Sequence, residues 1–248
     1  MIRKCAIFLA AVLLVGQFGY ATSGVALYVK GFAVMAADGR VNEIGPKIAT
    51  HGNKCKIDVV NRMAGMVAGL SEEQDVGFDA RTLLREAMER SGSVSEAAGA
   101  AEGQIRQTLP AALREFQKAN PNQFQQRANG SLQILIAGIS SAGDVQVARL
   151  SIPYDESRPV QRDDATGADD HVGIAPIGET AAIDRDLDRL HSTNGWSGKG
   201  NPTDLEKMAR RFIALEIVDK PLRVGPPVTI IQVDGSGVHF VEAGACQQ

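Results

Sequence analysis

The chain has 248 residues, 44% of them hydrophobic, 22% charged and 5% aromatic, with 26 Gly and 10 Pro. That is globular composition, and it excludes the disordered, collagen-like and low-complexity classes. The formal net charge of -3 and the absence of a long Lys/Arg run speak against a nucleic-acid partner. A multi-span membrane protein is excluded as well, because only the N-terminal segment holds a long apolar run.

Residues 1–21 read as a signal peptide. Arg3 and Lys4 form a charged start, Cys5 to Gly16 an apolar core too short to span a bilayer, and Gly19-Tyr20-Ala21 places small residues where a signal peptidase reads. Cleavage after Ala21 is expected, with an exported protein and one domain over 22–248. Membrane contact is expected only through this segment before cleavage. An uncleaved anchor helix is the alternative. Cys55 and Cys246 then remain, either as one bridge or as two free thiols, and their spacing does not decide between these. The four His are scattered, so no metal site and no cofactor are expected.

In chain order, Val25 to Val29 and Phe32 to Ala37 read as a hairpin about Lys30-Gly31. Asn42 to Gly52 reads as a loop. Cys55 to Val60 and Met63 to Ala68 form a second hairpin about Asn61-Arg62. Ser71 opens a helix expected to run to Arg90, and Ser95 to Phe116 a second, with Pro110 as a kink or boundary. Strands follow over Leu132 to Ile139 and Val145 to Ile152. Asp155 to Asp170 is polar and acidic and reads as an exposed loop. Val172 to Ile177 is a strand, Thr180 to Leu190 and Asp204 to Val218 are helices, and Val228 to Val233 with Val238 to Val241 closes the chain as a hairpin. Helix pairs between blocks of strands do not fit a doubly wound parallel sheet. They predict an α+β protein: a four-layer αββα sandwich, two antiparallel sheets flanked by helix pairs.

The chemistry gathers near Thr22. Cleavage after Ala21 would give Thr22 a free α-amine beside its hydroxyl. An amine with a pKa of about 8 is a fair general base at neutral pH, and it activates a hydroxyl that is otherwise a weak nucleophile. A Lys nearby would favour loss of the hydroxyl proton, and a carboxylate would hold that Lys. Lys54 and Asp38 are the candidates, with Arg40 bracing the turn. Lys56 follows closely and could serve the same surface.

The stretch T-S-G-V-A-L-Y-V-K-G-F-A-V-M-A-A-D-G-R-V resembles the start of a mature proteasome β-type subunit, an N-terminal-nucleophile hydrolase family. The intervals from Thr22 to Asp38 and to Lys54 match that family without a gap. More weakly, M-A-G-M-V-A-G-L-S resembles the strand whose end supplies an oxyanion donor, which points to Gly69 or Ala68. Asp219 is the nearest match to an Asp before the closing turn, and Glu179 stands where a supporting Ser is expected. The resemblance implies a threonine-type hydrolase, here exported by its signal peptide, cleaving peptide or other amide bonds through an acyl-enzyme on Thr22, with catalytic roles for Thr22, Asp38, Lys54, Gly69 and Asp219. It implies assembly into an oligomer too. The replaced Ser and displaced Asp leave two alternatives: a catalytically silent binding or scaffold protein, or an amidase acting on small molecules.

Overall fold

A computed structural model describes residues 22–44, 49–192 and 198–246. The expected signal peptide and the cut after Ala21 lie outside the described residues.

The chain opens with a hairpin, β1 (Ser23–Val29) and β2 (Phe32–Asp38), whose two-residue turn is Lys30-Gly31. A small side hairpin follows, β3 (Arg40–Ile44) and β4 (Ala49–Asn53). Then come β5 (Ile57–Val60) and β6 (Met63–Ala68) about Asn61-Arg62. Two short strands, β7 (Glu72–Glu73) and β8 (Phe78–Asp79), lead into α1 (Ala80–Arg90), α2 (Val94–Ala119) and α3 (Pro121–Arg127). The chain continues through β9 (Ser131–Ile139), β10 (Val145–Pro153), β11 (Gln161–Thr166) and β12 (Gly173–Gly178). Helices α4 (Ala181–Ser192) and α5 (Pro202–Asp219) precede the closing hairpin of β13 (Val228–Asp234) and β14 (Gly237–Glu242).

Two five-stranded sheets result, in the orders β12-β1-β2-β13-β14 and β11-β10-β9-β6-β5, with antiparallel pairing throughout. Their central strands are nearly continuous apolar runs because both faces are covered. Side chains two apart share a face, so each strand feeds two cores. On β1, Val25, Leu27 and Val29 pack with Ile183 of α4 and Phe212 and Ile213 of α5, while Ala26 faces the other sheet. On β9, Leu132, Ile134 and Ile136 pack under α1 and α2, and Leu135, Ala137 and Ile139 turn inward. The layers are therefore helices, sheet, sheet, helices, as the order of elements predicts. Helix starts carry side-chain caps: Asp79 accepts from the amides of Arg81 and Thr82, Ser93 from Glu96, and Asn201 from Asp204.

Four expectations need correction. Of the expected loop over 42–52, the described residues 42–44 and 49–52 lie in the paired strands β3 and β4. Residues 71–79 are short strands and a single tight turn, so α1 starts at Ala80, and its true cap is Asp79, eight residues beyond Ser71. Gln161 to Thr166 is an edge strand inside the expected acidic loop. It pairs with β10 through its backbone and leaves polar side chains to solvent. Pro110 bounds nothing, for α2 continues on both sides of it.

Candidate functional site

Thr22 immediately precedes β1 and is 9% exposed. The β1–β2 register sets Gly24 against Ala37, which leaves Asp38 beside Ser23. There the Ser23 amide donates to Asp38 Oδ1 at 2.9 Å. The other oxygen, Oδ2, accepts from the amides of Arg40 at 3.2 Å and Gly225 at 3.3 Å.

The Lys56 ammonium donates to Asp38 Oδ1 at 2.8 Å, and both side chains are closed to solvent. Burial pushes the Asp38 carboxyl above its ordinary value, against the pull of Lys56 and the backbone amides. Burial likewise pulls Lys56 below its ordinary value, against the opposing charge of Asp38. The segment carrying Lys56 is fixed from two sides. Arg81 of α1 donates to the Cys55 carbonyl at 2.6 Å and pairs with Asp58 at 2.7 Å, and a disulfide joins Cys55 to Cys246 near the C-terminus.

Lys54 is elsewhere. Its ammonium is largely exposed and lies 4.0 Å from Glu72. Its backbone amide donates to the Gly39 carbonyl at 2.9 Å, at the base of the β3–β4 hairpin. Counting from Thr22 without a gap therefore stops two residues short of the lysine that meets Asp38. The Arg40 guanidinium donates to the Pro221 carbonyl.

Across the sheet, the Glu179 amide donates to the Thr22 carbonyl at 2.9 Å. Gly178 before it has φ +80, and a Cβ there would collide with the Thr22 carbonyl oxygen. The Gly178 amide donates to Gln133 Oε1 at 2.6 Å, which ties β12 of one sheet to β9 of the other. Behind this turn, buried Glu216 of α5 accepts from the amides of Ala182 and Ile183 at 2.6 and 2.9 Å and anchors the start of α4. The Glu179 carboxylate pairs with Arg223 at 2.9 Å. Asp219 is engaged differently, with Arg185 at 2.5 Å and Lys220 at 3.4 Å, and it does not line the cavity beside Thr22.

That cavity has a volume of about 470 Å³. Thr22, Gly178 and Glu179 form one wall, with Ala68 and Gly69 beside them. Arg127, Ser131, Gln133 and Tyr154 form much of the rest. The Leu70 amide donates to the Tyr154 hydroxyl at 2.7 Å, and a Cβ on Gly69 would come within 2.7 Å of that same oxygen. So Thr22, Asp38 with Lys56, Gly69 and Glu179 converge on one end of the two sheets. Sequence reasoning missed Gln133, Tyr154, Arg127 and Arg223. They lie in stretches without motif, and nothing local marks them. Lys56 carried the one usable signal, a second Lys two residues beyond the expected one.

Among the described residues, Asp169, Asp170 and His171 gather as potential metal-ligating groups. All three are exposed, Lys199 pairs with Asp170 at 2.9 Å, and none lines the Thr22 cavity. No helix among the described residues is long and apolar enough to cross a membrane.

No protein-family model matches the chain, and none of the curated proteins does. Solved structures do match. Anbu, an ancestral beta-subunit, from Yersinia bercovieri superposes with a TM-score of 0.57 at 14% identity, over 88% of this chain and 86% of that one. A mutant of Anbu from Hyphomicrobium sp. strain MC1 gives 0.57 at 15% identity, over 90% and 87%. Anbu from the same strain in another crystal form gives 0.56 at 15%, over 89% and 88%. These matches correct the resemblance drawn from the sequence. The similar structures are Anbu proteins, a family distinct from the proteasome β-type subunits, and they carry nothing about an exported bacterial member. At such identity the likeness is one of fold, and the fold of this chain is proteasome-like.

Proposed function

We propose that the chain is a threonine-type hydrolase of peptide or other amide bonds. It is exported through segment 1–21, and removal of that segment frees the Thr22 amine. One observation carries this reading: Asp38 joins the buried Lys56 to the amide next to Thr22, at a cavity large enough for a substrate residue. The Cys55–Cys246 bridge supports an oxidising compartment.

In this mechanism the Thr22 Oγ attacks the amide carbonyl, and the Thr22 α-amine accepts the hydroxyl proton. The oxyanion forms beside Ala68 and Gly69, where the Gly69 amide serves as donor. The proton passes from the amine to the leaving nitrogen, the C–N bond breaks, and an ester remains on Thr22. Water then attacks this ester, with the amine again as base, and releases the acid. In this reading Lys56, held by Asp38, favours loss of the Thr22 hydroxyl proton. Glu179 and Gly178 hold the Thr22 backbone in place. Asp219 has no part in this account.

One observation favours a second reading, a catalytically silent binding protein of the same fold. The turn against Thr22 presents Glu179 rather than a hydroxyl, and its carboxylate pairs with Arg223 at 2.9 Å. The deciding experiment is the intact mass of the mature protein before and after a peptide epoxyketone, an electrophile that captures an N-terminal threonine. A chain beginning at Thr22 that gains one adduct, with none on Thr22→Ala, is the expected result. A different start, or no adduct, leaves the silent reading in its place.

A further inference from the structure

The mechanism above gives the oxyanion one donor, the Gly69 amide. Each further donor fixed in advance where that charge develops lowers the barrier more. A phenol stands beside the first donor. Tyr154 follows directly on β10 and lines the same cavity as Thr22 and Gly69. A Cβ on Gly69 would come within 2.7 Å of the Tyr154 hydroxyl oxygen, so the phenol meets the backbone at a distance only glycine permits.

The phenol is held on several sides. The Tyr154 amide donates to the Gly130 carbonyl at 3.1 Å, and the ring lies against Gly130, where a Cβ would come within 3.2 Å of Cε2. The Leu70 amide donates to the hydroxyl oxygen at 2.7 Å. Accepting that bond leaves the hydroxyl its proton to give, and no described residue accepts it. The accepted bond also polarises the O–H and strengthens it as a donor. Burial pushes the phenol up from its ordinary value, against the pull of the Leu70 amide and Arg127, so the proton stays in place at neutral pH.

We infer that Tyr154 is a catalytic residue whose hydroxyl donates a second hydrogen bond to the oxyanion formed on the carbonyl that Thr22 attacks, beside the Gly69 amide. The inference rests on the hydrolase reading above. As the bond from Thr22 Oγ to the carbonyl carbon forms, the C=O electron pair moves onto oxygen and the hydrogen bond from Tyr154 strengthens. As the C–N bond breaks, the carbonyl re-forms and the hydrogen bond weakens again. The phenol keeps its proton throughout. A contact that is strongest in the transition state raises kcat and leaves KM little changed.

The test follows hydrolysis of a fluorogenic peptide amide by the mature full chain. Binding of a peptide boronate, which forms a tetrahedral anionic adduct on a hydroxyl nucleophile, is measured beside it. Tyr154→Phe is expected to lower kcat by about a hundredfold, with KM within about twofold. Boronate affinity is expected to fall by a similar factor. A second variant carries a ring-fluorinated tyrosine at position 154, which still accepts from the Leu70 amide but ionises at lower pH. Its kcat is expected to fall away at a lower alkaline pH than that of the unaltered chain, because a phenolate has no proton to donate. Thermal midpoints confirm that each variant is folded where its rate is read. A kcat for Tyr154→Phe within about twofold of the unaltered chain overturns this inference and leaves the hydrolase reading standing. A lowered kcat with undiminished boronate affinity does the same. If Tyr154→Phe does not fold, the fluorinated chain decides, and an unmoved alkaline limb overturns the inference. If no substrate is hydrolysed and the epoxyketone forms no adduct, both readings fall together.

Discussion

The Lys56 ammonium sits 2.8 Å from Asp38 Oδ1, and the same oxygen receives the Ser23 amide at 2.9 Å. One carboxylate oxygen thus links a buried cation to the backbone directly after Thr22. Removing the cation leaves a buried carboxylate with backbone amides alone, which costs about 3–5 kcal/mol. Lys56→Ala should therefore lower the urea midpoint sharply and abolish adduct formation at Thr22. Lys54→Ala should change stability by no more than about 0.5 kcal/mol, because its ammonium is largely exposed. Equal effects of the two substitutions would refute the assignment of Lys56.

Gly178 sits against the Thr22 carbonyl in a left-handed conformation, with φ +80. Gly178→Ala combines an unfavourable backbone conformation, about 1 kcal/mol, with a collision that only movement of Thr22 can relieve. The expected outcome is a lower melting midpoint and a slower epoxyketone reaction. A variant that melts earlier but reacts at the unaltered rate would show that Thr22 tolerates the shift.

The Cys55–Cys246 bridge closes a separation of 191 residues. Chain-entropy arguments give such a cross-link a contribution on the order of 5 kcal/mol. The double variant Cys55→Ser with Cys246→Ser should unfold at markedly lower urea, and dithiothreitol should bring the unaltered protein toward the same midpoint. The double variant itself should ignore the reductant.

Acid should weaken the fold through its caps and edge pairs. Burial raises Asp79, but hydrogen bonds from the amide and hydroxyl of Thr82 and the amide of Arg81 outweigh it and hold the carboxyl below its ordinary 3.8. Arg162 holds Asp164 low by a side-chain hydrogen bond. A carboxyl lowered in the folded state adds stability that is present above the unfolded value and lost as pH falls through the folded one. The urea midpoint should therefore fall between about pH 4 and the acid limit. Asp79→Asn, which keeps a capping side chain, should cost more at pH 7 than at pH 3. A cost independent of pH would assign the cap's value to geometry alone.

Local pattern made much of this molecule legible. Apolar runs and turn residues mark β1–β2 and β5–β6, because a two-residue hairpin needs only its own residues. The same logic fails for β3, β4 and β11. Arg40–Ile44, Ala49–Asn53 and Gln161–Thr166 hold their places by backbone pairing, and β11 stands at a sheet edge, so apolar periodicity is not required of it. The start of α1 is hidden in the sequence because Ser71 and the two acidic residues after it mimic a cap, whereas Asp79 is the one that caps.

The candidate site divides along the same line. The sixteen-residue interval from Thr22 to Asp38 is written in the chain alone, since a tight hairpin sets Asp38 beside Ser23 whatever the rest of the protein does. Which lysine completes the pair depends on how far the β3–β4 hairpin carries the chain before it returns, and a count along the chain cannot measure that. Gln133, Tyr154, Glu179 and Arg223 meet only because two sheets stack and their strand ends converge. Such contacts span long stretches of sequence, and packing between layers, rather than any local preference, selects the residues that make them.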